Sequence, residues 1–198
     1  MNPEELHDFY EGLVRRLRRE GVVCAITSGL ACVHYQLAES TKDCDLLCHS
    51  QSFHQLLKIL SETTVQEQPC RYRGNLSPPL EARWHIGGWT SHFQWGEGAE
   101  AVTLDVFGRA LRSPIPWETD LFGLYAGKHI VAQMKRTNRD KDWPVVTALG
   151  LKLVRAGDPR GWLHLFDHAE LLALLAEIQP PQEIVATRPA LGLAIQGD

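Results

Sequence analysis

The chain has 198 residues, 44% of them hydrophobic, and a formal charge of −4, a length that supports one substantial core, or a compact domain with a helical appendage, and excludes three domains. The mild acidity excludes a protein that coats nucleic acid nonspecifically, because phosphate affinity is supplied by clustered Lys and Arg. The opening MNPEELHDFYEG is acidic and amphipathic where a signal peptide would be basic and then apolar, and no apolar run approaches the roughly 18 residues of a membrane span; a soluble, cytoplasmic protein with no membrane partner is expected.

Residues 4–20 place Leu6, Phe9, Tyr10, Leu13, Val14 and Leu17 at helical spacing, with Gly21 positioned to end the helix. The opposite face carries Arg15, Arg16, Arg18 and Arg19, a solvated face or a phosphate contact. VVCAI (22–26) reads as a short buried strand entering the turn Thr27-Ser28-Gly29, after which Leu30, Val33, His34 and Leu37 mark a second helix. Asp43 to Cys48 reads as a strand, apolar apart from its acids, and Ser50 as the cap of a third helix with the stripe Phe53, Leu56, Leu57, Leu60. Residues 61–80 are polar and Pro-containing and read as loop. RWHIGGWTSHFQW (83–95) reads as a hairpin around Gly87-Gly88, with open register, and AVTLDVF (101–107) as a central strand.

Beyond Ser113-Pro-Ile-Pro116 the pattern turns helical, which places a boundary near residue 113 between a core of residues 1–112 and a C-terminal helical region of residues 113–198. Trp162, Leu165, Phe166, Ala169, Leu172 and Ala173 mark one packed helix there, and the tail after Gln179 shows little periodicity. The five cysteines, Cys24, Cys32, Cys44, Cys48 and Cys70, are odd in number, and three lie in apolar stretches where a reduced thiol acts as a small hydrophobe. Cys44, Cys48 and His49 lack a second Cys pair at zinc spacing, so zinc is not expected.

A strand alternates its side chains, so Asp43 and Asp45 project from one face while Cys44, Leu46 and Cys48 enter the other. Adjacent carboxylates raise each other's proton affinity, a cost that a hard divalent cation such as magnesium or manganese removes. Ser28-Gly29, between a strand and a helix, can offer backbone N–H groups to phosphate oxygens. Asp105 stands alone in an apolar strand, where an unpaired charge is costly, so a cation or an arginine such as Arg109 or Arg112 is expected beside it.

With these residues in place, the run ITSGLACVHYQLAESTKDCDLL (26–47) resembles the signature of the DNA polymerase beta-like nucleotidyltransferase superfamily, in particular the small bacterial AbiEii-type toxins and minimal nucleotidyltransferases. Ser28-Gly29, Thr41, Asp43 and Asp45 fall in matching places without a gap, and Asp105 matches the third carboxylate. The run IVAQMKRTNRDKDWPVVTAL (130–149) resembles the segment that carries a Lys toward the nucleotide, with Lys135, Arg139, Lys141 and Asp142 as matching positions. The chain departs from the pattern at Ser28, where the first Gly of the phosphate turn is usual, at Gln36, where a Gly is often found in mid-helix, and at Glu39, where an Arg is common.

The resemblance implies an α+β nucleotidyltransferase fold, a mixed β-sheet flanked by helices. It implies a metal site of Asp43, Asp45 and Asp105 holding Mg2+ or Mn2+, with Ser28, Gly29 and Lys135 on an NTP donor. The implied reaction moves a nucleoside monophosphate to an acceptor hydroxyl and releases pyrophosphate. The acceptor is open among an RNA end such as tRNA, a protein side chain and a small molecule such as an aminoglycoside. Arg71, Arg73 and Arg83 with Trp84, Trp89 and Trp95 could stack RNA or serve hairpin packing. The competing class is a non-catalytic nucleotide-binding or partner-binding module of toxin-antitoxin or regulatory type. A metal-dependent phosphohydrolase would need a water-activating histidine, and His34, His49 and His85 have no motif around them.

Overall fold

The computed structural model describes residues 1–74, 77–110 and 117–197. Helix α1 (Pro3–Arg19) begins as its sequence dictates. Asn2 accepts from the Glu5 amide at 2.9 Å while the Glu5 carboxylate accepts from the Asn2 amide at 2.9 Å, a reciprocal cap that satisfies two end groups, and Pro3 stands where no amide is needed. It ends at Gly21, whose φ of +84° favours glycine. Strand β1 (Cys24–Thr27) leads directly into α2 (Ser28–His34), followed by β2 (Asp43–Cys48) and α3 (Phe53–Glu62).

Three sequence expectations for this half need correction. Ser50 does not cap α3: residues 50–52 form a 3-10 turn, α3 starts at Phe53, and it is the Ser52 hydroxyl that is engaged, accepting from the Val23 amide at 3.0 Å. The polar stretch 61–80 contains two strands, β3 (Thr64–Val65) and β4 (Gln68–Tyr72). Neither has internal apolar alternation; β4 forms because β5 pairs with it from outside the segment, Cys70 opposite Trp95 and Tyr72 opposite Phe93, and β3 then pairs with β4 as the edge strand. No hairpin turns at Gly87-Gly88: residues 82–86 form the short helix α4 (Ala82–Ile86), Gly88 takes φ +93° as the chain leaves it, and β5 (Thr90–Trp95) pairs with β4 and with β6 (Val102–Phe107).

The result is a six-stranded mixed sheet of order β1-β2-β6-β5-β4-β3 flanked by helices, antiparallel except for the β2/β6 pair. β6 is central, as its apolar composition predicts. Along β5 and β6 burial alternates strictly: Ser91, Phe93, Trp95, Val102, Leu104 and Val106 are buried, whereas Thr90, His92, Gln94, Thr103, Asp105 and Phe107 are half-buried. α1 and the end of α3 cover the first set, Phe9 meeting Trp95 edge-on at 5.3 Å and Trp95 Nε1 donating to the Thr63 carbonyl at 2.9 Å. The second set faces outward, and this partly open face carries the acids.

The expected boundary near residue 113 lies outside the described residues. Beyond it come α5 (Lys128–Lys135), α6 (Trp143–Arg155), α7 (His168–Glu177), α8 (Gln182–Thr187) and α9 (Pro189–Gln196). The sheet's core draws in Tyr125, Ile130, Val131 and Leu149, while Val154, Trp162, Leu165, Leu174, Ile184 and Leu191 close a smaller second core. The single helix expected across 162–173 is instead broken. A 3-10 segment over 159–164 stops, Asp167 starts α7 by accepting from the Glu170 amide at 3.0 Å, and Arg188 takes the freed Trp162 and Leu165 carbonyls at 2.5 and 2.6 Å. The tail is ordered into α8 and α9 because Ile184 and Leu191 are buried in the second core. Among the described residues no helix is long and apolar enough to cross a membrane.

Candidate active site

The parallel pairing of β2 with β6 sets Asp45 opposite Asp105, and the neighbouring pairings extend that row to Thr27 on β1 and His92 on β5. Residues directly opposite share a face, so Thr27, Asp45, Asp105 and His92 form one line across four strands, with Asp43 one pleat away on the same face. Cys44 and Leu46 are fully buried on the other side, as the alternation predicts.

Thr41 ties this row to the first turn of α2. Its Oγ1 donates to Asp43 Oδ1 at 2.9 Å, and a Cβ on Gly29 would lie 2.8 Å from Thr41 Oγ1, so any larger residue there would displace Thr41. Ser28, the first residue of α2, sits at φ +51°, in the left-handed region, with its hydroxyl near enough to the Asp45 carboxylate to favour the charged form. Gln36, just past the end of α2, is also left-handed, at φ +59°. Burial, with the charges of Asp105 and Asp43, pushes the Asp45 carboxyl up to about 6, against the Ser28 hydroxyl and the Lys135 charge, which pull it down.

Asp105 does not pair with Arg109, which donates to the Ile86 carbonyl at 3.2 Å, and Arg112 lies outside the described residues. Its partners are His92, whose Nδ1 is 2.7 Å from Asp105 Oδ1, and Arg73, 3.7 Å from the same oxygen. Sequence reasoning missed His92. Its parity with Gln94 and Thr90 is visible within β5, but its meeting with Asp105 depends on a register set by pairing. The histidines considered from sequence lie elsewhere: His34 stacks on Tyr125 with ring centroids 3.9 Å apart, His85 is buried 2.9 Å from the Ser91 hydroxyl, and His49 Nδ1 accepts from the Gln51 amide.

Lys135 closes α5 and reaches Asp142, Nζ to Oδ1 3.2 Å. Thr137 Oγ1 at 2.6 Å and Arg139 Nε at 2.8 Å complete the set on that buried carboxylate. Burial pushes the Asp142 carboxyl up, but the Thr137 and Lys135 hydrogen bonds and the Lys135 and Arg139 charges outweigh it and hold it below the usual range. Lys135 thus lies close enough for its charge to act on Asp45 while being held by Asp142. The aromatic set divides. Trp95 is core, whereas Trp84 and Trp89 are partly exposed with centroids 5.4 Å apart, and Arg83 lies 5.2 Å over the Trp84 ring.

The donor chemistry suits a hard divalent cation. Three carboxylates share one face, Asp45 bears a proton affinity that a cation would lower, and Thr27 Oγ1, fully buried beside Asp45, has no hydrogen-bond partner among the described residues. Asp43 gives Oδ1 to Thr41 and Asp105 gives Oδ1 to His92, and among the described residues no three His, Cys, Asp or Glu side chains are gathered around one point for an ion. No protein-family model matches the chain, and no curated protein matches it.

Proposed function

We propose that the chain is a metal-dependent nucleotidyltransferase with the DNA polymerase beta-like nucleotidyltransferase fold, transferring a nucleoside monophosphate from an NTP to an acceptor hydroxyl. The observation that carries the reading is the registered facing of Asp45 and Asp105 on parallel strands, with Asp43 on the same face and bonded to the Thr41 hydroxyl that packs against Gly29. A second observation supports it. The two positions at which this chain replaces a glycine of the resembled pattern, Ser28 and Gln36, both have left-handed backbone, the conformation for which glycine is the least strained residue.

Asp43, Asp45 and Asp105 would hold magnesium or manganese, whose chemistry is to neutralise charge on the triphosphate and to activate the attacking hydroxyl. Backbone amides at the Ser28-Gly29 turn would hold phosphate oxygens, with the Gly29 Cα leaving them room. Lys135, oriented by Asp142, would add positive charge on the donor side. Asp105, at the edge of the row beside His92 and Arg73, would face the acceptor.

The test is incubation with each α-labelled NTP and magnesium against total tRNA, protein extract and aminoglycosides. Wild-type protein should label one class, and Asp43→Ala and Asp105→Ala should abolish the labelling while keeping the circular-dichroism spectrum and a cooperative melt. An unchanged rate in either variant defeats the assignment. Metal-dependent NTP binding by calorimetry without transfer to any acceptor would instead identify a binding module.

A further inference from the structure

Cys24 opens β1 and Cys48 closes β2, and the two stand directly opposite in the antiparallel register. Which kind of opposition this is follows from the backbone bonds. The Ile26 amide donates to the Leu124 carbonyl and the Ile26 carbonyl accepts from the Ala126 amide, both away from β2. Two residues earlier on the same side, the Cys24 carbonyl accepts from Arg18 at 2.8 Å. The Val23 carbonyl, by contrast, points across and accepts from the His49 amide at 2.9 Å. Cys24 and Cys48 are therefore a non-hydrogen-bonded pair, the closer of the two antiparallel kinds, with Cα atoms about 4.5 Å apart. That separation falls inside the roughly 4.4 to 6.8 Å over which a disulfide can close. Both side chains enter the same buried face.

We propose that Cys24 and Cys48 form a latent cross-strand disulfide, a modification site that covalently closes the segment carrying Ser28, Gly29, Thr41, Asp43 and Asp45. No other two cysteines oppose one another: Cys32 is on α2, Cys70 faces Trp95, and Cys44 lies beyond the last β1 pair, Thr27 with Asp45. The thiols are buried, but β1 is an edge strand, the pair sits at the outer end of it, and Val23 next to Cys24 is 57% exposed. Fraying of one strand end suffices to admit a small oxidant. With glutathione disulfide the balance is complete. One cysteine thiolate attacks a glutathione sulfur and releases the first glutathione thiolate. The second cysteine then displaces the other glutathione. The two protons from the cysteines end on the two released glutathiones, and the cysteine pair is oxidised by two electrons.

The experiment incubates the native full chain with glutathione disulfide, blocks free thiols, and maps peptides without reduction. The expected result is a species lighter by two hydrogens, with the Cys24 and Cys48 peptides joined. Because the bridge closes a long loop in the unfolded chain, the thermal midpoint should rise by about 10 °C, and a phosphine should reverse both changes. Cys48→Ala should show neither. The proposal is overturned by a bridge to Cys32, Cys44 or Cys70, by glutathione adducts alone, by Cys24 and Cys48 both staying reduced while Cys70 becomes modified, or by a bridge that lowers the midpoint. The wild-type map decides the matter even if the variant fails to fold.

Discussion

His164 is fully buried between two partners, with Arg136 Nη2 3.1 Å from its Nδ1 and His129 Nδ1 2.9 Å from its Nε2. A guanidinium can only donate, so His164 Nδ1 must accept, its proton must be on Nε2, and that proton goes to His129 Nδ1. The arrangement holds only for the neutral ring, and protonating His164 would set a second N–H against Arg136. Burial, then the charges of Arg136, His129 and Arg188, lower its pKa to about 3, with Asp158 opposing, and burial with Arg160 lowers that of His129 as well. A base whose folded value is depressed binds protons only in the unfolded chain between the two values. Its contribution to stability is therefore complete above the unfolded value of about 6.5 and is lost as pH falls toward 3. At pH 5 the loss is about 2 kcal/mol, nearly all of it set by the 1.5-unit gap below roughly 6.5 and insensitive to the folded value. Urea unfolding at pH 7 and pH 5, on wild type and on His164→Gln, measures it. Glutamine can accept from Arg136 and donate to His129 but does not titrate, so wild type should lose about 2 kcal/mol more than the variant between the two pH values. Equal losses would refute the neutral, doubly bonded state of His164.

Asp45→Asn should raise stability at pH 7 by up to about 3 kcal/mol, because a carboxyl whose folded value is raised to about 6 favours the unfolded chain once ionised; chemical denaturation checks this, and an unchanged or lower stability would show that Asp45 is not electrostatically frustrated. Gln36→Gly should stabilise by about 1 kcal/mol by relieving its left-handed backbone, and a destabilised variant would mean that the Gln36 side chain outweighs that relief. Gly29→Ala should cost about 1 to 3 kcal/mol, since the new Cβ would meet Thr41 Oγ1 at 2.8 Å. If the proposed function holds, it should also weaken magnesium-dependent NTP binding through the displaced Thr41–Asp43 bond, and a variant as stable as wild type would show that Thr41 gives way to the new methyl at no cost.

Local chemistry is legible from the chain wherever it closes on itself. The Gly21 stop, the passage from β1 into a helix at Ser28-Gly29 and the strand Asp43–Cys48 follow from residue types and spacing within a few positions, and each is present. The alternation that sets Asp43 and Asp45 on one face belongs to the same class. The misread elements lack an internal signal. β4 is polar and is a strand because β5 lies beside it; the Gly87-Gly88 stretch ends a short helix because its neighbours pair elsewhere; and α8 and α9 form around Ile184 and Leu191 buried against distant residues.

The same division runs through the site. Composition alone marks Asp105 as a charge in an apolar strand, but its opposition to Asp45, its contact with His92 and the hold of Asp142 on Lys135 join residues far apart in the chain. By itself the sequence determined the glycine stop of α1, the passage from β1 into α2 and the faces on which the acids stand, since these follow from backbone geometry over a few residues. Tertiary structure alone decided strand register, the His92 and Arg73 partners of Asp105, and the opposition of Cys24 to Cys48. Register is set by pairing between segments, and a slip of one residue would send every one of those side chains to the other face.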